Sequence, residues 1–507
     1  MSPGAAPEPW SWPRGRPAGN GRDAQAGKER ITMGRPLIRL LGEEERDTLH
    51  EQTLRVLEEV GVAYNTPAAL DVLEGTEAVL DRDGLRARLP RELVMRSVEA
   101  TPRKVLLAAR DPAHDVVLGD GDLSFTSDGT ATYVLDDETG ARREGTARDL
   151  RTITRLFDAL PDVDYVWPTI SARDLDPLTA NLEIEAIAFR SCSKHVQDEV
   201  RGPEYVAPLL DMFAAVGGAP VAERPVFSTI NCTVAPLAHD GAMTEASIGL
   251  ARAGVPIAIM PMPLMGTTAP ITVAGAAVIT LAELLSAVVL FQLAAPGCPL
   301  IASPEPASAD LRSGLYVCAS PEAAATVLAC IEMAKQVYGL PTQGGGIGGD
   351  AKAPDFQDGI EAAGVLDALV GADSLVGVGC TDGAQTTSLA TIVLHHDAAG
   401  LVKQRLRRPS FTVESCLVDD IRTVGPGGHY LGRSSTRRHA RDAWQPDVLR
   451  RGTFEATRGR TLVHDALERA QSLLATHEVA PLPDDVDRHL DDVVATHRRL
   501  ARRSGTA

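Results

Sequence analysis

The stretch VFSTINCTVAPLAHDGAMTEASIGLARAGVPIAIMPM, residues 226–262, contains the pattern that decides the fold. Two short apolar runs, 226–232 and 256–262, flank a helical pattern over residues 239–253. Neither run alternates strictly between apolar and polar residues, which is typical of strands that are buried on both faces. A strand, a helix and a second strand of this kind predict a βαβ unit with parallel strands.

The same pattern continues on both sides of this stretch. Further strands are predicted at LSFT (123–126), TATYVL (130–135), DYVWPTIS (164–171), KHVQDE (194–199), PLIAS (299–303), LPTQGG (340–345) and SLVGVG (374–379). Further helices are predicted at 272–294, 320–338, 356–370 and 383–395. Eight βα units in roughly 300 residues suit a (β/α)8 TIM barrel, which typically needs about 250, better than an open doubly wound sheet.

The flanks of this series complete the predicted organisation. Residues 1–34 are rich in Pro, Gly and Arg and predict a disordered leader. Residues 35–120, which include an amphipathic helix over 43–60, predict a helical and mixed cap. The barrel is then expected over residues 121–460, and a helical extension over residues 461–507.

Composition narrows the class of function. Among 507 residues, 44% are hydrophobic and 23% are charged, as in ordinary soluble proteins. The net charge of −18 argues against a nucleic-acid partner, because phosphate-binding surfaces are basic. The seven cysteines are scattered singly, which predicts reduced thiols in the cytoplasm. Large barrels commonly associate, so a homo-oligomer is expected.

One segment is long enough to span a membrane. Residues 271–295 read ITVAGAAVITLAELLSAVVLFQLAA, and Glu283 is their only charge. The segment lacks basic flanks and aromatic anchors, and its carboxylate lies near the middle. A buried helix of a soluble barrel therefore explains it better than a membrane span.

The glycine-rich segment GGGIGGDAKAP, residues 344–354, is the strongest local motif. Its GxGxxG pattern, Gly344, Gly346 and Gly349, raises the alternative of a nucleotide-dependent oxidoreductase. Dinucleotide binding requires a helix that begins at the last glycine, whereas Pro354 delays any helix here. Two other interpretations stay open: a flexible loop, or a bare rim against which a large flat cofactor lies. The candidate cofactor contacts are Gly344, Gly345, Gly346 and Gly349.

Several separated segments together resemble the trimethylamine methyltransferase family. They are GTATYVLDDETGARR (129–143), DYVWPTISARD (164–174), GLP (339–341), DAKAPDFQDGIE (350–361) and VGPGGHYL (424–431). The similarity extends from about residue 37 to residue 503, so it covers nearly the whole chain. The resemblance implies a TIM barrel that transfers an N-methyl group to the Co(I) of a corrinoid.

Position 348 departs from the founding enzymes of that family. Counting back from Asp350, Gly348 stands where those enzymes carry pyrrolysine. The resemblance is therefore to the subgroup without pyrrolysine, and it implies a quaternary amine such as glycine betaine as the donor. A quaternary ammonium leaves as a neutral tertiary amine, so the reaction needs alignment and exclusion of water but no general acid. No catalytic residue is predicted on this basis.

The corrinoid itself is expected on a separate protein. The DxHxxG motif of corrinoid-binding domains does not occur, and His395-His396-Asp397 has the wrong order and is predicted to cap a helix. The HxxC and HExxH patterns of zinc sites are also missing from the sequence, and a quaternary amine offers no lone pair to a Lewis acid. No metal is predicted in this chain.

Nine residues are candidates for the substrate site. Asp128 follows a strand, where it could face an ammonium or form an Asx turn. Glu283 needs a cationic partner or a substrate cation, because an unpaired carboxylate in an apolar helix is costly. Gln343 is expected to point into the barrel. The remaining candidates lie in loops after strands or near the end of the predicted barrel: Gly348, Asp350, Lys352, Asp382, His429 and Tyr430.

Asp350 and Lys352 are expected to pair with each other or to hold the loop, and Tyr430 offers a cation–π face. A structural turn is the alternative for the segment that contains His429 and Tyr430. A third hypothesis for the whole chain is a family member that binds quaternary amines without turnover.

Overall fold

The computed structural model describes residues 38–363, 367–407 and 409–504, and the predicted leader at 1–34 lies outside these ranges. Eight parallel strands form its centre. They are β1 Ser124–Ser127, β2 at residues 165–166, β3 Val196–Glu199, β4 Phe227–Cys232, β5 Ile257–Met260, β6 Leu300–Ala302, β7 Gln343–Gly346 and β8 Ser374–Val378.

These strands close on themselves. Strands β3, β4, β5 and β6 form one continuous parallel sheet, and β7, β8 and β1 form another. Parallel bridges join the two sheets through β2, at Thr126 with Tyr165 and Val166 with Val196, and directly between Ala302 and Thr342. The predicted TIM barrel is therefore confirmed.

A helix follows each strand, as the alternating sequence pattern predicts. The helices are α1 Ala147–Ala159, α2 Ala180–Ser191, α3 Val206–Gly217, α4 Gly241–Arg252, α5 Val273–Ala294, α6 Pro321–Glu332 with a π turn at Met333–Val337, α7 Phe356–Ala363 with a second piece at Asp367–Val370, and α8 Leu389–Leu406. Most begin at a side-chain cap, such as Thr146 before α1 and Asp240 before α4.

The amino-terminal region packs against α5. Helices Glu43–Glu59 and Arg91–Ala100 both lie against it, and together they bury the apolar surface that makes α5 membrane-like in composition. Within the described ranges, α5 is the one helix long and apolar enough to cross a membrane, and most of it is buried inside the protein. The prediction of a buried barrel helix agrees with this burial.

The same region also supplies the antiparallel pair Val105–Leu107 and Val116–Leu118. Val105, Leu107 and Leu118 pack against the apolar side chains inside the barrel. The Ala108 N–H donates to the Pro225 carbonyl, just before β4, and His195, just before β3, contacts the Ala108 carbonyl. The hairpin therefore closes the end of the barrel where the strands begin.

Shorter elements complete the chain. They are helix Pro67–Leu73 with strands Val62–Ala63, Val79–Asp81 and Arg86–Arg88 near the amino terminus, strands Leu264–Met265, Ala307–Ala309 and Tyr316–Val317 after β5 and β6, and helices Val418–Val424, Ser434–His439 and Phe454–Thr457 after α8. Two long helices end the described chain: Leu462–Thr476 packs on α8 and α1, and Asp484–Ser504 packs on α3 and α2.

Two predicted elements differ from the structure in place. The segment TATYVL forms a strand, Tyr133–Leu135, outside the barrel, where it pairs with Arg142–Glu144 and Thr386–Thr387. The helix predicted from residue 383 begins only at Leu389, because Cys380–Thr381 and Thr386–Thr387 form a hairpin before it.

The prediction that His395-His396-Asp397 caps a helix is wrong, because these residues lie in the middle of α8. Asp397 instead accepts the N–H groups of residues 447–449, at 2.7 to 2.9 Å, and so fixes a distant segment.

Candidate functional site

The carboxyl ends of all eight strands meet at one end of the barrel, which we call the mouth. The hairpin described above closes the opposite end, so the mouth is the end of the barrel interior that the hairpin leaves uncovered. Loops at this end of a TIM barrel carry the functional side chains in the fold as a whole. The candidate site is therefore built from the residues that directly follow the strands.

Trp167, directly after β2, is the central aromatic residue of the mouth. It belongs to the apolar cluster inside the barrel and is 5% exposed. Its indole Nε1–H donates to Asp198 Oδ1 at 2.9 Å. A Cβ atom on Gly129 would lie 1.8 Å from the indole Cε2, so the ring keeps this position only beside a glycine. A buried tryptophan face of this kind attracts cations.

Two buried carboxyl groups lie behind Trp167. Burial, followed by the charge of Glu199, raises the pKa of Asp198 to about 6. Burial and the adjacent Asp198 carboxylate raise the pKa of Glu185, on α2, well above its usual range. Glu185 therefore holds a proton at neutral pH, and Asp198 keeps the negative charge beside the indole.

Glu199, at the end of β3, adds a second carboxylate on the same side of the mouth. The Cys232 thiol, at the end of β4, donates to Glu199 Oε1 at 3.4 Å. Burial and the Glu199 charge raise the pKa of Cys232 well above its usual range, so this thiol stays protonated. Cys232 therefore serves as a small hydrogen-bonding side chain rather than as a nucleophile.

Asp128, directly after β1, is a further half-buried carboxylate. Its Oδ1 accepts the Gly129 N–H at 2.9 Å. Burial raises the pKa of Asp128 to about 6, because this one backbone hydrogen bond only partly offsets the lost solvation. The group is ionised at neutral pH and protonated in mild acid.

Glu305 and Tyr316 come from the long loop after β6. Tyr316 has 40% of its surface exposed, but desolvation of its phenol, followed by nearby Cys318, Glu305 and Asp128, raises its pKa well above the usual range. A Cβ atom on Gly344 would lie 3.1 Å from Glu305 Oε1, so the start of the glycine-rich loop lies against this carboxylate. Carboxylates and aromatic rings thus surround the mouth from several strands.

Below the mouth, Gln343 points into the barrel as the sequence predicts. Its Nε2 donates to Gln197 Oε1 at 2.8 Å, and its Oε1 accepts the Tyr165 hydroxyl at 3.0 Å. The Tyr165 hydroxyl also lies 2.8 Å from Ser374 Oγ. Gln197 and Gln343 lie on the non-adjacent strands β3 and β7, so they meet only through the interior. This network forms a rigid polar layer across the barrel.

Comparisons with known proteins agree with this arrangement. Residues 13–501 match the family model "Trimethylamine methyltransferase (MTTB)". The trimethylamine methyltransferase MttB of Desulfitobacterium hafniense is 31% identical over 459 residues, which is 89% of this chain and 92% of that protein. The chain belongs to the trimethylamine methyltransferase family.

Two further relatives differ in the methyl donor that their names state. A glycine betaine methyltransferase of Desulfitobacterium hafniense is 27% identical over 91% of this chain and 97% of its own length. The trimethylamine methyltransferase MttB of Methanosarcina barkeri is 27% identical over 90% of this chain and 94% of its own length. Methyl transfer is therefore the chemistry of the family to which this barrel belongs.

The fold comparison agrees as well. The crystal structure of the Methanosarcina barkeri monomethylamine methyltransferase MtmB superposes with a TM-score of 0.51 over 93% of this chain and 90% of that chain, at 9% identity. Its hydroxylamine complex gives a TM-score of 0.50 over 90% of this chain and 89% of that chain, at 11% identity. At this identity the likeness shows the shared fold.

Close contacts and backbone conformation explain the composition of the glycine-rich loop. A Cβ atom on Gly346 would lie 2.3 Å from the Val376 carbonyl oxygen, and one on Gly349 would lie 2.1 Å from Glu361 Oε2. Gly345 has a φ of 65°, in the left-handed region. The helix after this loop begins only at Phe356, so no helix start faces the glycines as dinucleotide binding requires.

Gly348, which the family resemblance matches to pyrrolysine, lies against β8 and the loop that follows it. A Cβ atom there would lie 3.2 Å from the Gly377 carbonyl oxygen and 3.3 Å from that of Cys380. These contacts are tighter than ordinary van der Waals contacts, so even a small side chain would need adjustment of the neighbouring backbone. A role for the four neighbouring glycines in contacting a cofactor stays a prediction.

The polar residues after the glycines hold loops together. Asp350 accepts the N–H groups of Cys318 at 3.1 Å and Ala319 at 2.9 Å, and so ties this loop to the loop that carries Tyr316. Lys352 pairs with Asp382 at 2.5 Å rather than with Asp350. Asp382 also accepts Arg142 at 2.7 Å. Of these three predicted residues, Lys352 and Asp382 therefore pair with each other, and Asp350 binds a neighbouring loop.

Glu283 occupies a different place from the mouth carboxylates. It is buried on α5, where it accepts the Thr233 hydroxyl and the Leu237 N–H, the latter at 2.8 Å. Burial raises the pKa of Glu283 to about 7. The sequence predicted a cationic side chain or a substrate cation beside Glu283, whereas the hydrogen bonds in the structure come from two neutral donors in the loop after β4.

His429 and Tyr430 follow the short helix Val418–Val424, beyond the last barrel helix. Tyr430 is 43% exposed, and its carbonyl accepts the Arg433 N–H and the Thr436 hydroxyl. These contacts are those of a turn that leads into the helix Ser434–His439, which was the structural alternative for this segment.

The sequence-based candidates omitted five residues of the mouth, namely Trp167, Asp198, Glu199, Glu305 and Tyr316. A signal for two of them was present: Glu199 ends a predicted strand, and Glu305 follows a predicted strand by two residues. Trp167 lies in the middle of the strand predicted at 164–171, and the structure ends that strand at residue 166. Tyr316 is eleven residues further along the same loop than Glu305, and only the fold brings it back to the mouth. Over the described ranges, no group of three or more His, Cys, Asp or Glu side chains is arranged to hold a metal ion.

Proposed function

We propose that this chain transfers a methyl group from an N-methyl quaternary ammonium compound, or from a methylamine, to the Co(I) of a corrinoid on a separate protein. Family membership supports methyl transfer. The observation that carries the choice of donor is the position of Trp167 at the mouth, where its indole N–H donates to Asp198 and its ring lies against Gly129, the residue after Asp128. A cation is the ligand that aromatic faces and carboxylates bind together.

The residues of the mouth suit the electronic demands of this reaction. When a quaternary ammonium loses a methyl group, the substrate charge disappears and no proton is transferred. Carboxylates that bound the cation very tightly would stabilise the ground state more than the transition state. A tryptophan face supported by Asp198 attracts the ammonium more softly, and it holds the methyl groups by packing.

Rigidity is the second contribution of this chain. The layer formed by Tyr165, Gln197, Gln343 and Ser374 spans the barrel below the mouth. A fixed floor of this kind aligns the transferred methyl group with an acceptor that approaches from the open end, and it keeps water out from below. The corrinoid supplies the nucleophilic cobalt when its carrier protein docks.

A reducing cytoplasm suits both the free cysteines of this chain and the Co(I) acceptor that we propose. All seven cysteines are free, and Co(I) persists only under reducing conditions. We infer that the carrier protein docks over the mouth, since the hairpin covers the opposite end of the barrel.

The test is methylation of free cob(I)alamin by the purified full chain under a strong reductant. Absorbance distinguishes cob(I)alamin from methylcobalamin, and tetramethylammonium, choline, glycine betaine and trimethylamine serve as donors. We expect methylcobalamin with at least one quaternary amine. Binding of a donor without any methylcobalamin would indicate the non-catalytic family member instead, and reduction of a nicotinamide or flavin would indicate the oxidoreductase.

A further inference from the structure

The basic and acidic side chains of the loops that follow the eight barrel strands differ in their exposure to solvent. These loops contain six Lys and Arg side chains, and all six residues are exposed: Arg142, Arg143, Arg173, Arg201, Arg312 and Lys352. The one histidine of these loops, His239, is buried, and burial lowers its pKa to about 4, so it is neutral. Every positive charge of the mouth loops is therefore on the outside.

Half of these cations already have protein partners. Arg142 and Lys352 both bind Asp382, at 2.7 Å and 2.5 Å, and the Arg142 guanidinium also lies over the Tyr133 ring. Arg143 forms a bidentate pair with Asp149 at 2.7 and 2.8 Å. These ion pairs neutralise part of the positive charge of the loops.

Four carboxylates of the same loops and strand ends are less exposed than these cations. Asp198 is buried, and Asp128, Glu199 and Glu305 are half-buried. The pKa values of Asp128 and Asp198, raised by burial to about 6, still leave both groups ionised at neutral pH. Other acidic side chains of these loops are exposed, but no Lys or Arg of the loops shares the burial of these four carboxylates. The less exposed part of the mouth therefore carries negative charge.

Betaines are zwitterions, and this charge distribution discriminates against them. The ammonium of glycine betaine suits the Trp167 face, but its carboxylate lies only one methylene away and would be held among these carboxylates. In a partly desolvated site this repulsion is stronger than in water. No Lys or Arg of the eight loops is buried beside it to compensate.

We propose that the preferred methyl donor of this enzyme is a quaternary ammonium compound without a carboxylate, with choline and tetramethylammonium as the model compounds. This inference rests on the proposed function and narrows it. It departs from the glycine betaine donor that the sequence resemblance implies. A longer spacer lets the donor carboxylate reach the exposed cations of the rim, so discrimination weakens as the spacer lengthens.

The experiment compares kcat/KM for four donors in the cob(I)alamin assay: choline, tetramethylammonium, glycine betaine and 4-(trimethylammonio)butanoate. We expect choline to exceed glycine betaine by about tenfold or more, the scale of one like-charge contact. The butanoate should fall between the two. Glycine betaine equal to or better than choline would overturn the inference.

Calorimetric binding of the same four compounds separates this inference from the proposed function. If no donor is turned over but choline binds at least tenfold more tightly than glycine betaine, the proposal of methyl transfer is rejected. The inference that the ligand lacks a carboxylate is then retained. If all donors bind equally, the donor class fails, whatever the turnover.

A variant pair assigns the discrimination to the mouth. Glu199→Gln removes one inner charge, and we expect it to lower the choline to glycine betaine ratio about threefold or more by improving the betaine. Glu58→Gln, on the exposed face of the helix Glu43–Glu59, is the matched control and should leave the ratio unchanged. A ratio that both variants leave at the wild-type value would contradict the assignment to these carboxylates.

Discussion

Two buried carboxylate regions of this barrel have raised pKa values but different surroundings. Glu283, on α5, is satisfied by the Thr233 hydroxyl and the Leu237 N–H and holds the loop after β4. At the mouth, Asp198 accepts an indole N–H from a tryptophan that borders the barrel opening, and a second carboxyl group stands behind it. The comparison teaches that burial and a raised pKa alone do not identify a site. The nature of the partners, and whether a ligand can reach them, separates a structural carboxylate from a functional one.

The largest expected effect is on stability, at the structural carboxylate. Glu283→Ala removes two hydrogen bonds and leaves a cavity in a fully buried region, so we expect a loss of about 3 kcal/mol in the free energy of unfolding. Urea denaturation followed by circular dichroism measures it.

Glu283→Gln, which keeps the shape and one acceptor, is the control for that loss and should lower stability by only about 1 kcal/mol. The KM for a quaternary amine should be unchanged in the folded fraction of both variants. A raised KM with unchanged stability would place Glu283 with the mouth residues and erase the distinction between the two regions.

The second-largest expected effect is a loss of activity caused by a substitution at the mouth. Gly129→Ala places a methyl group 1.8 Å from the Trp167 ring, so the indole must move. We expect kcat/KM for a quaternary amine to fall about 30-fold, corresponding to about 2 kcal/mol of lost alignment and packing. Intrinsic tryptophan fluorescence reports the displaced ring independently of turnover.

Gly140→Ala, at a loop glycine with open space around its Cβ position, serves as the control for general loop strain. Both glycines lie in the loop after β1, but Gly140 has a φ of 70°, so this control carries the larger backbone strain. Equal losses of activity in the two variants would show that the contact with Trp167 is not the cause.

A smaller effect is expected when only the hydrogen bond is removed. Trp167→Phe keeps an aromatic face but loses the N–H that Asp198 accepts at 2.9 Å. We expect kcat/KM to fall about tenfold, because the loss of one charge-assisted hydrogen bond and a weaker π face together amount to about 1.5 kcal/mol. An unchanged kcat/KM would mean that the indole–carboxylate pair is structural, like Glu283.

The smallest effect is on the pH profile. The pKa values of Asp128 and Asp198 are raised to about 6, so both carboxylates are protonated below that pH and ionised above it. Activity toward a cationic donor should therefore rise severalfold from pH 5 to pH 7 and then level off. Asp128→Asn should flatten the profile, whereas Glu283→Gln should not. A profile that falls as pH rises would contradict an attractive role for these carboxylates.

Much of the fold follows from local pattern. The helix predicted at 43–60 is found at Glu43–Glu59, and the strands predicted at 226–232 and 256–262 are found at Phe227–Cys232 and Ile257–Met260. Apolar runs that are buried on both faces leave a strong trace in sequence. By contrast, TATYVL has the composition of a strand, and nothing local tells that its partners lie outside the barrel.

The candidate site was less predictable for a physical reason. Gln343 was placed correctly in the interior because strand periodicity fixes which side chains point inward. The partners of Lys352 and Asp350 were not predicted correctly. Lys352 pairs with Asp382 and Asp350 accepts the Cys318 N–H, and both partners belong to other loops. Ion pairs depend on distances across the fold, which sequence separation does not report.

The sequence by itself determined that the chain forms a barrel, which family it resembles and that residue 348 is a glycine. Each of these conclusions rests on short contiguous segments. The tertiary structure alone decided which carboxylates gather at the mouth. Eight loops that are far apart in the chain converge at the mouth, where they gather Asp128, Trp167, Asp198, Glu199 and Glu305 and leave the cations outside. Electrostatic fields add over space rather than along the chain, so only the closed barrel makes the inside of this mouth negative.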